Sequence, residues 1–334
     1  MVILPIASEF QRQYFLNQSS KNHLQASKLH PHFECAWLMM AFTWILFTLM
    51  AAFMQAWRNA FQKQLSTTVD VYGTTLARFL FAPIFAFSYI FILYAQQPVS
   101  VEVSFSNKFW FYVVIAGISQ IYATALMVKL FQQKNYAIGV GLAKSEAILA
   151  ALVGVLFLQE HLTVWGWVGV SIGAVAVFLL SKGRQHTELS MKTLMIGLGS
   201  GLCFAITSLL VREASLELGM LPFLHRAAWV LCSLISFQCI ILLLYLGIFS
   251  RQTLYKMWQR LGLTFKVSVC SFLASLGWFS AMSMQTVAIV KTLGQVEILF
   301  SLLISAFFFK EKLARTDHLG LWLVIVAAIM VIWA

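Results

Sequence analysis

The stretch AIGVGLAKSEAILAALVGVLFLQEHL at residues 137–162 falls in register with AIVKTLGQVEILFSLLISAFFFKEKL at residues 288–313 when the chain is slid against itself by 151 residues (288 − 137). Ala137, Ile138, Leu142, Glu146, Leu152, Phe157, Glu160, Leu162 and, further on, Gly169 meet Ala288, Ile289, Leu293, Glu297, Leu303, Phe308, Glu311, Leu313 and Gly320. Coincidences of Leu and Ala are cheap where 60% of residues are hydrophobic. Glutamates are not cheap, because only 12 of 334 residues are acidic, and each copy carries two of them 14 apart (160 − 146 and 311 − 297). Self-similarity at a fixed offset marks a duplicated unit. A looser echo pairs Arg78 in TTLARFLF with Arg226 in PFLHRAAW.

Working outward from these two stretches, the composition identifies the solvent. Charged residues make up 10% of the chain, against roughly 25% in a soluble domain. Apolar runs of about 20 residues, each enough to cross a bilayer, lie near 36–57, 69–94, 107–130, 136–158, 162–181, 191–212, 222–248, 263–286, 288–309 and 315–334. They must be helices, since an open strand leaves its backbone groups unsatisfied in lipid. The reading is an all-α integral membrane protein of ten transmembrane helices: a polar tail at 1–35 with no secretory-type apolar region, a first five-helix repeat at 36–181, a linker at 182–190 and a second repeat at 191–334. Little chain is left for a soluble enzyme, a nucleic-acid-binding domain or a nucleotide-driven pump, and no GxxxxGK[ST] phosphate loop is present. The net charge of +11 is therefore a topology signal and not a sign of nucleic acid as partner.

Five crossings are an odd number, so two copies of the unit insert in opposite orientations. The loop charges agree. Fourteen basic residues follow odd-numbered spans, beginning with Arg58 and Lys63 and ending with Lys310, Lys312 and Arg315, while five (Arg12, Lys21, Lys28, Lys108 and Arg212) lie on the amino-terminal side. Positive loops stay in the cytoplasm, which places both termini outside the cell (inner) membrane. A carboxy-terminal reporter active only in the cytoplasm is expected to stay dark.

The run from mid-helix Glu to end-of-helix Glu, EAILAALVGVLFLQEHLT and EILFSLLISAFFFKEKLA, together with Arg78 and the preceding LSTTVDVYGTTLA, resembles the drug/metabolite transporter superfamily, specifically its ten-helix branch with two EamA-type repeats. That resemblance, over about residues 36–334, implies two inverted five-helix repeats, a central cavity lined by the first four helices of each, and secondary transport, often export, of small metabolites. Two features depart from the family pattern. Ala147 and Ile298 stand where a Pro commonly follows the mid-helix Glu, so the fourth and ninth spans are expected to be less kinked. The family habit also puts the termini in the cytoplasm, and the loop charges here argue the reverse.

Glu146 and Glu297 fall near the middle of their spans, where an ionised side chain costs at least roughly 2.5 kcal/mol and needs a partner, a wet cavity or a proton. The functional reading is a substrate-binding or proton-coupling carboxylate; the structural alternative is a hydrogen bond between helices. Small neighbours share their helix faces, Gly139, Ala143 and Ala150 with Glu146, Gly294 and Ser301 with Glu297, leaving room for a ligand or for a neighbouring helix. Arg78 is the candidate counter-ion for a carboxylate or for an anionic substrate group. Lys144 and Gln295, two repeat mates, add polar groups; Lys144 sits about 200° around the helix from Glu146 and should pair with another helix. Lys291 lies near its span's start and is expected to snorkel. His225 and Arg226 read as interfacial, and Glu160 and Glu311 as capping residues. Trp44, Tyr122 and Trp278 fall mid-span, where they either pack or wall a cavity and stack on a cation. Gly169-Val170-Ser171-Ile172-Gly173 fits GxSxG but lies inside an apolar span, without the strand-turn-helix context of a nucleophile elbow. His30 and His32 alone do not make a metal site, and the five cysteines suggest no disulfide framework.

The expected function is secondary transport of a small metabolite by alternating access, as an exporter of amino-acid-like or zwitterionic compounds whose two ends meet acids and bases in the spans. The alternatives are proton-coupled uptake of an organic cation, a lipid-headgroup flippase, and a non-transporting membrane subunit. The expected partners are substrate, lipid and coupling protons, with no cofactor and no metal, in a monomer or weak homodimer.

Overall fold

Backbone in lipid must bond to itself within each segment, and every element of the computed structural model among its described residues (30–133, 145–158, 162–182, 191–307, 322–323, 325–327 and 329–330) is helical. In chain order these are α1 (His30–Leu65), α2 (Val71–Ala77), α3 (Ala82–Gln96), α4 (Asn107–Gln133), α5 (Glu146–Leu158), α6 (Val164–Lys182), α7 (Met191–Glu217), α8 (Phe223–Phe249), α9 (Arg251–Gln259), α10 (Leu261–Met282), α11 (Val287–Leu293) and α12 (Glu297–Phe307). Among the described residues six runs are long and apolar enough to cross a membrane: Val71–Gln96, Asn107–Gln132, Met191–Glu217, Phe223–Phe249, Leu261–Met282 and Val287–Ile304, with shorter apolar helices at Glu146–Phe157 and Val164–Val175. The architecture is a membrane helix bundle.

The second span is broken. Asp70 caps α2 by accepting from the Gly73 amide at 2.8 Å, and the helix stops at Arg78. Pro83 enters in the first turn of α3; its ring cannot donate to, and would collide with, the carbonyl four residues back, so the helix has to restart. Ser268 of α10 closes the gap: its hydroxyl donates to the Ala77 carbonyl at 2.6 Å and accepts from the Phe81 amide at 3.2 Å.

Hydroxyl groups and small residues draw the long helices together. Ser119 Oγ donates to the Cys203 carbonyl at 2.9 Å, Ser200 Oγ to the Ala123 carbonyl at 2.8 Å and Thr207 Oγ1 to the Ala116 carbonyl at 3.4 Å. The partners run in opposite senses, so α4 and α7 are antiparallel and packed at the close range that small side chains allow. At Gly277 a side chain would come within 2.6 Å of the Phe47 carbonyl, which is why α10 can lie directly on α1.

Two elements were not anticipated. Arg251–Gln259, which falls between the spans at 222–248 and 263–286, forms the amphipathic α9, which buries Thr253 and Met257 and exposes Tyr255, Trp258 and Lys256. The ninth span was expected to be less kinked for want of a Pro after Glu297, but a 3-10 turn at Gly294–Val296 separates α11 from α12. The Trp278 ring is seated against Gly294, where no Cβ fits, and the chain tightens there without a Pro.

Candidate functional site

Glu297 is the first residue of α12, directly after the 3-10 turn, and Glu146 the first of α5. Both are enclosed. Glu297 accepts from Gln55 Nε2 at 2.5 Å and Asn59 Nδ2 at 2.8 Å, both on α1. Glu146 accepts from Ser208 Oγ of α7 at 2.9 Å and pairs with Lys291 Nζ of α11 at 2.8 Å. Glu297 is thus received by α1, and Glu146 by α7 and α11.

A continuous polar chain joins them. Arg58 donates through Nε and Nη2 to Asn59 Oδ1 at 3.2 and 2.9 Å, and Asn59 donates to Glu297. Gln55 bridges Glu297 to Trp278, whose Nε1 donates to Gln55 Oε1 at 2.8 Å. Lys291 Nζ lies 4.2 Å from the centroid of the same Trp278 ring, and from Lys291 the chain passes to Glu146 and Ser208. Trp278 therefore touches both ends of the network, its N-H on one side and its π face on a cation on the other.

Around this chain is a narrow cavity, with about 550 Å³ of empty space when its open mouth is counted. Its lining combines Arg58, Arg78, Lys291, Glu146 and Glu297 with the polar Gln120, Thr207 and Ser275 and the apolar Met127, Phe204, Val211, Phe279 and Met282. Arg78 lies at the break between α2 and α3 and donates through Nη1 to Thr124 Oγ1 at 2.8 Å.

Of the residues singled out in the sequence, Glu146, Glu297, Arg78 and Trp278 come together in this cavity. Gln295 is buried against Gly173 of α6 and is not among the lining groups. Tyr122 is 62% exposed and is not among the residues that line the cavity. Lys144, Glu160 and Glu311 lie outside the described residues, as do the side chains of His30 and His32. Lys291 does not snorkel; α11 is buried on nearly every face, so its ammonium turns inward to Trp278 and Glu146. His225 and Arg226 are not interfacial either. His225 is fully buried, with Nε2 at 3.0 Å from the Gln97 carbonyl and its ring edge-on to Tyr94, and Arg226 Nη2 donates to the Ser283 carbonyl at 3.2 Å. Trp44 is buried in the apolar core. The sequence reading missed Gln55, Asn59, Ser208 and Thr124, and it assigned Arg58 to a loop, whereas Arg58 is 1% exposed inside α1. Among the described residues no group of three His, Cys, Asp or Glu is placed to hold a metal ion.

A model of the EamA-like transporter family matches residues 42–182, from α1 through α6, the stretch that carries Arg58, Arg78 and Glu146. Over residues 42–182 the chain is similar to the EamA-like transporter family. That family lies within the drug/metabolite transporter superfamily, and the likeness, together with the long apolar helices, supports an integral membrane protein that transports small molecules. A solved structure titled only as the crystal structure of a protein matches with a TM-score of 0.62 at 13% identity, over 86% of this chain and 96% of that one. At that identity the likeness is one of fold. No curated protein matches the sequence.

Proposed function

We propose that the chain is a secondary transporter, and not an enzyme, that exports amino-acid-like or zwitterionic metabolites by alternating access, its two inverted five-helix halves rocking about the cavity. The observation that carries this is the exchange of partners: Glu297 of the second half is held by Gln55 and Asn59 of the first, and Glu146 of the first half by Ser208 and Lys291 of the second. A site built from both halves is remade whenever they move against each other. Acids and bases within one enclosed space suit a substrate bearing both signs of charge. The loop bias supports both termini outside: setting aside Arg58 and Arg212, whose guanidinium groups bond inside the bundle, leaves 13 (14 − 1) against 4 (5 − 1).

Counterflow of labelled amino acids into proteoliposomes tests the reading. Glu297→Gln and Glu146→Gln should each insert normally and lose nearly all exchange. Exchange at the unmodified rate in both variants would overturn the site.

A further inference from the structure

Among the described residues Arg78 has no ion-pair partner. The residue is 3% exposed, and of the five N-H donors of its guanidinium one, Nη1, has an acceptor, the neutral hydroxyl of Thr124, while the buried Nε has none. The flanking groups are the rings of Phe79 and Phe204, 5.3 and 5.9 Å away. Glu146 and Glu297 line the same cavity but are held elsewhere, by Lys291 and Ser208 and by Gln55 and Asn59. A buried guanidinium with unmet donors is costly to keep, and native structures satisfy such groups nearly always. The cavity in front of it supplies the place for the missing acceptor.

Building on the transport reading, we propose that Arg78 is the seat of a substrate carboxylate, and that the carboxylate is the obligatory end of the substrate while an amine is dispensable. The class is a small amphipathic carboxylic acid. Its two oxygens match the planar fork of a guanidinium, and its apolar body lies against Phe204, Met127, Phe279 and Met282, which line the same space. A phosphate, with about −1.5 to −2 charges, meets more repulsion from Glu146 and Glu297 than a singly charged carboxylate does.

Thermal shift of the purified full chain, with matched trios built on leucine and on phenylalanine, tests this: the amino acid, its amide, and the acid lacking the amine (isocaproate, hydrocinnamate). The acids and amino acids should stabilise the protein and the amides should not. Arg78→Gln should weaken acid binding about 30-fold or more, the loss expected when one partner of an enclosed charge pair is removed, and Arg78→Lys should recover part of it. Without ligand, Arg78→Gln should melt no lower than the unmodified protein, since it removes a charge that nothing pairs. Amides binding as well as acids, phosphate competing better than isocaproate, no response to any acid, or a lower melting point for ligand-free Arg78→Gln would each overturn the proposal. Binding without exchange in proteoliposomes would remove the transport reading and leave the seat; exchange of leucinamide as fast as leucine would do the reverse.

Discussion

Lys291 and Glu146 form the ion pair on which the polar chain closes. Their charges lie within the span region, where breaking a buried pair by removing one member leaves an uncompensated charge and costs about 3–5 kcal/mol. Lys291→Met should therefore lower the melting temperature sharply, and adding Glu146→Gln should restore most of it, since the carboxylate left behind is then neutral. A double-mutant cycle with purely additive effects would contradict the pairing. The residue scale also explains what the sequence hid. Gln55, Arg58 and Asn59 recur at helical spacing on one face of α1, but they follow an apolar run, and a basic residue after an apolar run reads as a loop charge. Their role depends on Glu297, more than 230 positions away in the chain, which only folding brings within 2.8 Å of Asn59. Glu146, Glu297 and Arg78 were legible for the opposite reason: a charge inside an apolar span is too costly to be idle.

Among the elements, the helices were legible from length and hydropathy, because lipid admits nothing else; the breaks in them were not. The interruption at Arg78–Phe81 follows from Pro83, but its survival in an apolar environment follows from Ser268, on a helix some 190 residues later. Ser268→Ala should leave the Phe81 amide and the Ala77 carbonyl unpaired and destabilise the bundle by about 1–3 kcal/mol, read as a fall in melting temperature. An unchanged melting temperature would mean that the break needs no cap. The turn at Gly294–Val296 had no sequence marker apart from its glycine, because the Trp278 ring opposite is what makes a side chain impossible there. Helix α9 was missed for another reason: nine residues with few apolar members give too little periodicity to stand out from a basic loop.

At the scale of the whole molecule, the cavity is lined by residues from α1 to α12, and the proposed cycle opens it to each side of the membrane in turn. Helices α1 and α7 each hold a glutamate of the opposite half, so a movement of one half against the other changes the surroundings of both carboxylates together. The register between residues 137–162 and 288–313 is what points to a duplication; the exchange of partners across it was not legible, because an offset in sequence says nothing of which helix meets which. Ser275 lines the cavity from α10 and belongs to no link of the polar chain, so it can report on access without disturbing the site. In a cysteine-free background, Ser275→Cys in sealed vesicles of known orientation should react with a membrane-impermeant thiol reagent from either side, with substrate shifting the balance between the two. Labelling from one side alone, unchanged by any substrate, would contradict alternating access.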